Sequence, residues 1–398
     1  MEKLFSTFYQ QIERTELKHI RYNYPDIRWE NRLIAIVGSR GTGKTTLLFQ
    51  YIKQNFAPYS TEALYVSLDN LWFTNHTLLD LADDFYKLGG KALFIDEVHK
   101  YPTWSREIKN IYDSYPDLKV VFTGSSLLEI LKGEADLSRR VIVYQMHGMS
   151  FREFLDFDLG YKMTPIALDE IIKHHVEIAM EIKRHLKPIV EFNQYTRYGY
   201  FPFYFEDKIL YHERLLATLN VILEVDLPSI ERIDFASIHK IKKLFAILAT
   251  LVPYSPNISK LSADVGVTRV SLHNYLYFLQ KAQAILLLEQ EASGMRQMTK
   301  PEKIYLGNTN YAYALGGEQA DIGNIRETFF FNQVKVKNSV TYSPDVDFLV
   351  NNSLNFEIGG KNKTQKQIKS LPNSFLALDN IEVGFGNQIP LWMFGLSY

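Results

Sequence analysis

The sequence predicts an α/β fold built on a parallel sheet, and three observations predict it. The apolar run Leu33-Ile34-Ala35-Ile36-Val37 feeds the glycine-rich stretch Gly38-Ser39-Arg40-Gly41-Thr42-Gly43-Lys44-Thr45, and Thr45 to Ile52 leaves it with helical spacing. A second apolar strand, Ala92-Leu93-Phe94-Ile95, ends in the paired carboxylates Asp96-Glu97. Further strands at Ala63 to Asp69 and Lys119 to Phe122 alternate with helical stretches, the pattern of parallel strands joined by crossover helices. A ligand of such a sheet sits at the carboxyl ends of its strands.

The elements follow in order. Leu4, Phe5, Phe8, Tyr9 and Ile12 fall at helical spacing, so the chain opens with an amphipathic helix. The glycine-rich stretch fits the pattern G-x-x-x-x-G-K-[ST] without a gap. A strand, a tight turn and a helix N-terminus aim successive backbone N–H groups at one point, where a polyphosphate can sit. Glycine is needed because the backbone must approach the phosphates closely. Gly38, Arg40, Gly41, Thr42, Gly43, Lys44, Thr45 and Thr46 are the expected binding set for a nucleoside triphosphate. Lys44 supplies charge to the β- and γ-phosphates, and Thr45 a hydroxyl ligand for Mg²⁺. Arg40 is open between a nucleotide contact and a solvated residue.

Asp96 is the expected second Mg²⁺ ligand, and Glu97 the base that orients and deprotonates an attacking water. Val98 to Thr103 reads as a loop before a helix near Trp104. The strand ending at Phe122 is followed by Thr123-Gly124-Ser125-Ser126. There Thr123 and Ser125 are candidates to sense the terminal phosphate, although such turns also use Thr, Gly and Ser for local reasons. Ser138-Arg139-Arg140 precedes another β-rich run. Arg140, by a small margin over Arg139, is the candidate arginine finger, in cis or toward a neighbouring subunit; the alternative is a surface ion pair.

Composition sets limits. A chain of 398 residues with 46% apolar content holds roughly two to four domains. Its 44 basic and 45 acidic residues leave a net charge of −1, so nothing global demands nucleic acid or an anionic membrane. Zero cysteines exclude disulfides and thiolate metal sites, which suits the cytoplasm. The charged first twenty residues are not a signal peptide, and the most apolar stretches, such as Phe245 to Val252, are too short to span a bilayer.

The segment Ile34 to Leu48 resembles a family of prokaryotic AAA-type ATPases of largely unknown role. So do Leu93-Phe94-Ile95-Asp96-Glu97-Val98-His99, Phe122-Thr123-Gly124-Ser125-Ser126 and Ser150-Phe151-Arg152-Glu153-Phe154-Leu155. The resemblance runs along most of the chain and is most specific in the ATPase motifs. It implies a winged-helix region after the ATPase, then a C-terminal domain resembling restriction-type nucleases. It also favours ATP over GTP. Where the family usually has Gly-Arg, this chain has Ser138-Arg139-Arg140.

The middle of the chain reads as helical over Pro165 to Leu186 and Tyr211 to Val225, with the aromatic turn Tyr198 to Phe203 expected to pack against the ATPase. A helix from Ile238 to Leu251, then Ser259 to Val265, the turn at Gly266 and Thr268 to Gln280 capped by Thr268 give helix-turn-helix spacing. Arg232, Lys240, Lys242, Lys243, Lys260, Arg269 and Lys281 make this region basic. Arg269, Ser271, His273 and Asn274 are candidates to meet DNA, against the alternative of an intramolecular lid. The strand Lys303 to Leu306 is expected to open the last domain, where Glu327, Asp347 and Glu357 echo a PD-(D/E)xK core able to hold a divalent ion. The lysine of that pattern is replaced by Gly359, with Lys361 as a substitute from the loop. Lys361, Lys363, Lys366 and Lys369 are either a nucleic-acid contact or a solvated face.

The expected fold class is therefore α/β: a P-loop parallel sheet with flanking helices, followed by a helical winged-helix-like region and a small α/β nuclease-like C-terminal domain. The boundaries are 1–158 for the ATPase, 159–235 for a helical lid, 236–295 for the winged-helix-like domain and 296–398 for the last. The expected function is Mg²⁺-dependent ATP hydrolysis coupled to the C-terminal modules. A nucleotide-gated DNA- or protein-binding switch and an ATP-regulated nuclease are the alternatives. ATP is the expected partner, DNA and a second copy of the chain are open, and no membrane is expected.

Overall fold

Five strands carry the first part of the chain: β1 (Leu33–Gly38), β2 (Ala63–Ser67), β3 (Ala92–Asp96), β4 (Lys119–Ser125) and β5 (Ile142–Met146). They form one parallel sheet in the order β2-β3-β4-β1-β5. The computed structural model describes residues 1–125, 137, 139–231, 233–291, 301–366 and 368–398. Ser126, Ser138, Arg232 and the expected boundary at 295/296 lie outside them. The chain divides into two units, Met1–His147 with Glu224–Ile233, and Gly148–Leu223 with Asp234–Tyr398.

In the first unit β1 and β3 are buried along their whole length, which is why they read as unbroken apolar runs rather than alternating ones. Around the sheet lie α1 (Glu2–Arg14), α2 (Lys44–Asn55), α3 (Leu78–Lys87) and α4 (Trp104–Ser114). Leu4 and Phe8 of α1 join the same apolar core as Leu47 and Leu48 of α2, Phe85 of α3 and Ile108 of α4. A reciprocal cap between Thr77 and Asp80 starts α3. β4 runs further than expected, because its pairing with β1 continues through Ile36–Thr123, Val37–Gly124 and Gly38–Ser125. Three residues expected in a turn are thereby strand residues at the sheet's carboxyl edge.

The second unit begins earlier than the expected boundary at 158. The helix Phe151–Leu159 starts at Ser150, which shares a reciprocal cap with Glu153 and donates its hydroxyl to the Tyr398 carbonyl at 2.6 Å. That bond and the one from Arg152 Nε to the same carbonyl tie this helix to the chain's far end, so it groups with the second unit. The aromatic turn is also reassigned. Tyr200 N donates to Asn310 Oδ1 at 2.9 Å, Tyr200 O accepts from Met149 N, and Asn310 Nδ2 donates to Thr196 O, all within the second unit.

Helices Phe235–Leu251, Ile258–Val265 and Arg269–Lys281 follow, the last capped by Thr268 Oγ1 accepting from Ser271 N. β6 (Ile285–Leu288) and β7 (Lys303–Leu306) then pair antiparallel. β7 was expected to open the last domain. Instead its partners are β6 and, through Ile304, Tyr254. The C-terminal sheet is β12-β11-β10-β9-β8, from β8 (Val340–Thr341), β9 (Phe348–Val350), β10 (Leu354–Gly360), β11 (Ser374–Asp379) and β12 (Gln388–Pro390). The β8–β9 and β9–β10 pairings are antiparallel, and the β10–β11 and β11–β12 pairings parallel. Among the described residues no helix is long and apolar enough to cross a membrane.

A candidate nucleotide site at the carboxyl edge of the sheet

The turn between β1 and α2 is shaped by its glycines. Gly41 and Gly43 have φ of 82° and 92°, where a Cβ is strained. Gly38 is required for a different reason: a Cβ there would stand 2.3 Å from the Met146 carbonyl oxygen of β5. Thr42 is buried and donates its hydroxyl to Ser39 O at 2.9 Å, while its own carbonyl accepts from the buried Arg21 guanidinium. Thr46 is exposed. Lys44 is buried, and its Nζ donates to the carbonyls of Gly38 and Ser39 at 2.9 and 3.0 Å. Burial pushes the Lys44 pKa down, and the carboxylates of Glu97 and Asp96 oppose that shift.

Asp96, at the end of β3, gathers four donors. Its Oδ2 accepts from Thr45 Oγ1 at 2.6 Å and Tyr65 Oη at 2.8 Å, and its Oδ1 from Thr123 Oγ1 and from Glu97 N at 3.2 Å. The Tyr65 hydroxyl pKa is raised, first by burial and then by the Asp96 carboxylate. Thr123 also accepts from Glu97 N at 3.3 Å, so it braces the carboxylate pair from β4. Glu97 itself sits at φ 55°, ψ 41°, a left-handed conformation that costs a non-glycine residue on the order of 1–3 kcal/mol and concentrates at functional sites.

Beyond Glu97 lies a charged cluster that no local pattern announces. The carboxylate of Asp226 is almost fully buried. Both of its oxygens face the Arg40 guanidinium, with Nε to Oδ2 and Nη2 to Oδ1 each 3.4 Å. Lys100 Nζ lies 2.9 Å and His99 Nε2 3.6 Å from Oδ1. His99 Nε2 is also 3.2 Å, and Arg40 Nη2 3.8 Å, from Glu97 Oε2. Burial disfavours the charged form of Asp226, but His99, Lys100 and the Arg40 charge outweigh it and hold its pKa below the usual carboxylate range. Arg40 is thus not merely solvated.

The arrangement fits a nucleoside triphosphate with Mg²⁺. The Ser39 hydroxyl and the His99 Nδ1 are buried and lack a hydrogen-bond partner among the described residues, which native interiors rarely tolerate. The Thr45 hydroxyl and Asp96 carboxylate offer the hard oxygen donors that Mg²⁺ takes alongside substrate phosphates. Arg140 is not part of the site. It precedes β5, whose register sets Ile142 beside Ile34 and Met146 beside Gly38, so Arg140 lies at the opposite edge of the sheet from Lys44. There it pairs with Asp113 at 3.0 Å, and the expectation of a finger in cis is corrected.

In the second unit Glu327, Asp347 and Glu357 do converge, with amino groups between them. Lys303 Nζ lies 3.4 Å from Glu327 Oε2 and 3.3 Å from Asp347 Oδ1, and Tyr305 Oη donates to Glu327 at 2.8 Å. Asp347 Oδ2 accepts from Ile358 N, and Glu357 Oε2 from Asp347 N. Lys363, not Lys361, reaches Glu357, at 2.6 Å. Gly359 makes room for it, because a Cβ there would stand 2.7 Å from the Lys363 side chain. Burial and Asp347 raise the Glu327 pKa; burial lowers that of Lys303, but Glu327 and Asp347 more than reverse this. With these partners in place, no group of three metal-ligating side chains forms among the described residues, which corrects the expected divalent-ion site. On the helix Arg269–Lys281, Arg269 and Asn274 are exposed and Ser271 and His273 half-buried. Lys243 of the expected basic patch donates to the Asp264 carbonyl.

Residues 30–155 match a family model described as an AAA domain, and residues 189–321 one described as a domain of unknown function (DUF8612). Residues 30–155 are thus similar to an AAA domain, and the first unit has the parallel sheet and glycine-rich turn of a P-loop fold. No curated protein matches the sequence. Among solved structures the chain is similar to the Orc1 protein of Aeropyrum pernix in complex with DNA, at 11% identity over 79% of this chain and 92% of that one, with a TM-score of 0.33. It is also similar to AMPPCP-bound DnaA from Aquifex aeolicus, at 14% identity over 69% and 86%, TM-score 0.26. A third likeness is to PCH-2 of C. elegans, at 15% identity over 71% and 67%, TM-score 0.26.

Proposed function

We propose that the chain is a Mg²⁺-dependent ATPase whose nucleotide state is read by its second unit. The observation that carries this reading is the convergence of Lys44, Thr45, Asp96, Glu97 and Thr123 at one edge of a parallel sheet. The backbone N–H groups of the Gly38–Thr45 turn and the N-terminus of α2 cradle the phosphates. Lys44 exchanges its carbonyl partners for phosphate oxygens. Thr45 and Asp96 would hold Mg²⁺, whose positive charge would offset the charge that develops on the phosphates. Glu97, braced at its backbone by Thr123 and Asp96, takes the proton of the attacking water. Tyr65 orients the Asp96 carboxylate through its hydroxyl.

The three helices from Phe235 to Lys281 with the β6–β7 hairpin support a winged-helix reading of that part of the second unit. The exposed Arg269 and Asn274 make DNA the partner to test, and a second copy of the chain the alternative. For the C-terminal sheet we propose a nuclease-like scaffold that does not cleave, because amino groups already engage its carboxylates. The test is steady-state ATP turnover by the full chain in Mg²⁺, with and without duplex DNA. Turnover above the Lys44→Ala background supports the ATPase; stimulation by DNA supports the coupling. Turnover equal to that background overturns the reading.

A further inference from the structure

The short stretch Glu224–Ile233 belongs to the first unit, although the residues on both sides of it belong to the second. It carries Asp226 to the edge of the nucleotide site, where an almost fully buried carboxylate meets three cationic or imidazole side chains, Arg40, Lys100 and His99. Arg40 faces both carboxylate oxygens at once, the fork geometry that also suits phosphate oxygens. Two of the three groups also approach Glu97, His99 at 3.2 Å and Arg40 at 3.8 Å. Under the proposed function Glu97 faces the attacking water, so the terminal phosphate is the part of the nucleotide nearest this set. The buried Ser39 hydroxyl, next in sequence to Arg40, lacks a hydrogen-bond partner among the described residues, which points to a ligand group at this turn.

We propose that Arg40, Lys100 and His99 form a γ-phosphate subsite whose place Asp226 holds in the nucleotide-free chain. A carboxylate and a phosphoryl group are both oxyanions, and like charges in one desolvated set repel. The terminal phosphate therefore displaces Asp226, while a nucleoside diphosphate leaves it seated. The subsite is what distinguishes triphosphate from diphosphate, and Asp226 sets the threshold by competing for the same donors.

This inference rests on the nucleotide reading of the first unit, and the experiment separates the two. Calorimetry on the full chain compares ADP with a non-hydrolysable ATP analogue, both with Mg²⁺, for the unaltered chain, Asp226→Asn, Lys100→Ala and Lys44→Ala. Asp226→Asn is expected to tighten the triphosphate several-fold with ADP unchanged. Lys100→Ala is expected to weaken the triphosphate by roughly tenfold, the size of one lost charge-assisted hydrogen bond, again with ADP unchanged. If Asp226→Asn does not fold, the Lys100→Ala ratio decides. Binding that is lost in Lys44→Ala but keeps the same triphosphate-to-diphosphate ratio in the other variants overturns the subsite alone. No nucleotide binding by the unaltered chain overturns the nucleotide reading and the subsite with it.

Discussion

Lys44 and Asp96 are held in opposite ways, and the difference fits the roles proposed for each. Asp96 is fixed by four donors from β2, α2, β4 and its own chain, so its oxygens are placed before any ligand arrives. Lys44 rests on two carbonyls of its own turn, neutral partners that a phosphate outbids. Lys44→Ala should therefore weaken ATP binding by about an order of magnitude or more, since hydrogen bonds to charged groups are worth roughly 1.5–3 kcal/mol. Equal ATP affinity for variant and parent in calorimetry would contradict the assignment. Lys44 and Thr45 were legible in the sequence because they close the glycine-rich turn and open α2, and Asp96, Glu97 and Thr123 because each sits within two residues of a strand end, where local pattern fixes position. Asp226 was not. It stands 126 residues from Lys100, and the short helical turns that carry it leave no periodic signal. Arg140 misled for the reverse reason: its type suits a finger, but only strand register tells which edge of the sheet it occupies.

At the scale of elements, the β1–turn–α2 unit depends on close backbone approach. Gly38 lies against the Met146 carbonyl of β5, and a methyl group cannot fit there without moving one of the two strands. Gly38→Ala should lower the first unit's stability by about 1–3 kcal/mol, the usual cost of overpacking, and bring its thermal unfolding midpoint down by several degrees. An unchanged midpoint in calorimetry would show that β5 yields freely. The parallel sheet was readable from its runs of buried strand residues. The β6–β7 pairing was not, because Lys303 to Leu306 is equally apt as an edge of either sheet and only its antiparallel register with Ile285–Leu288 assigns it. Nor was the role of Lys363 readable, since it depends on how the chain turns after Gly360.

For the whole molecule, two units share one chain that crosses between them more than once, and the candidate nucleotide site lies in the first. The converging carboxylates of the second unit are matched by Lys303 and Lys363, so the charge a divalent ion would supply is already there as ammonium. We expect no Mg²⁺- or Mn²⁺-dependent cleavage of linear or supercoiled DNA, with or without ATP. Cleavage that vanishes in Asp347→Ala would contradict this and make the Lys303 contacts a resting state. Whether this chain hydrolyses ATP with Glu97 as base is decided by a single comparison. ATP affinity and turnover are measured side by side on the full-length parent and its Glu97→Gln variant. The variant is expected still to bind ATP while turnover falls by roughly 10²–10⁴-fold; turnover equal to the parent's would show that Glu97 is not the base.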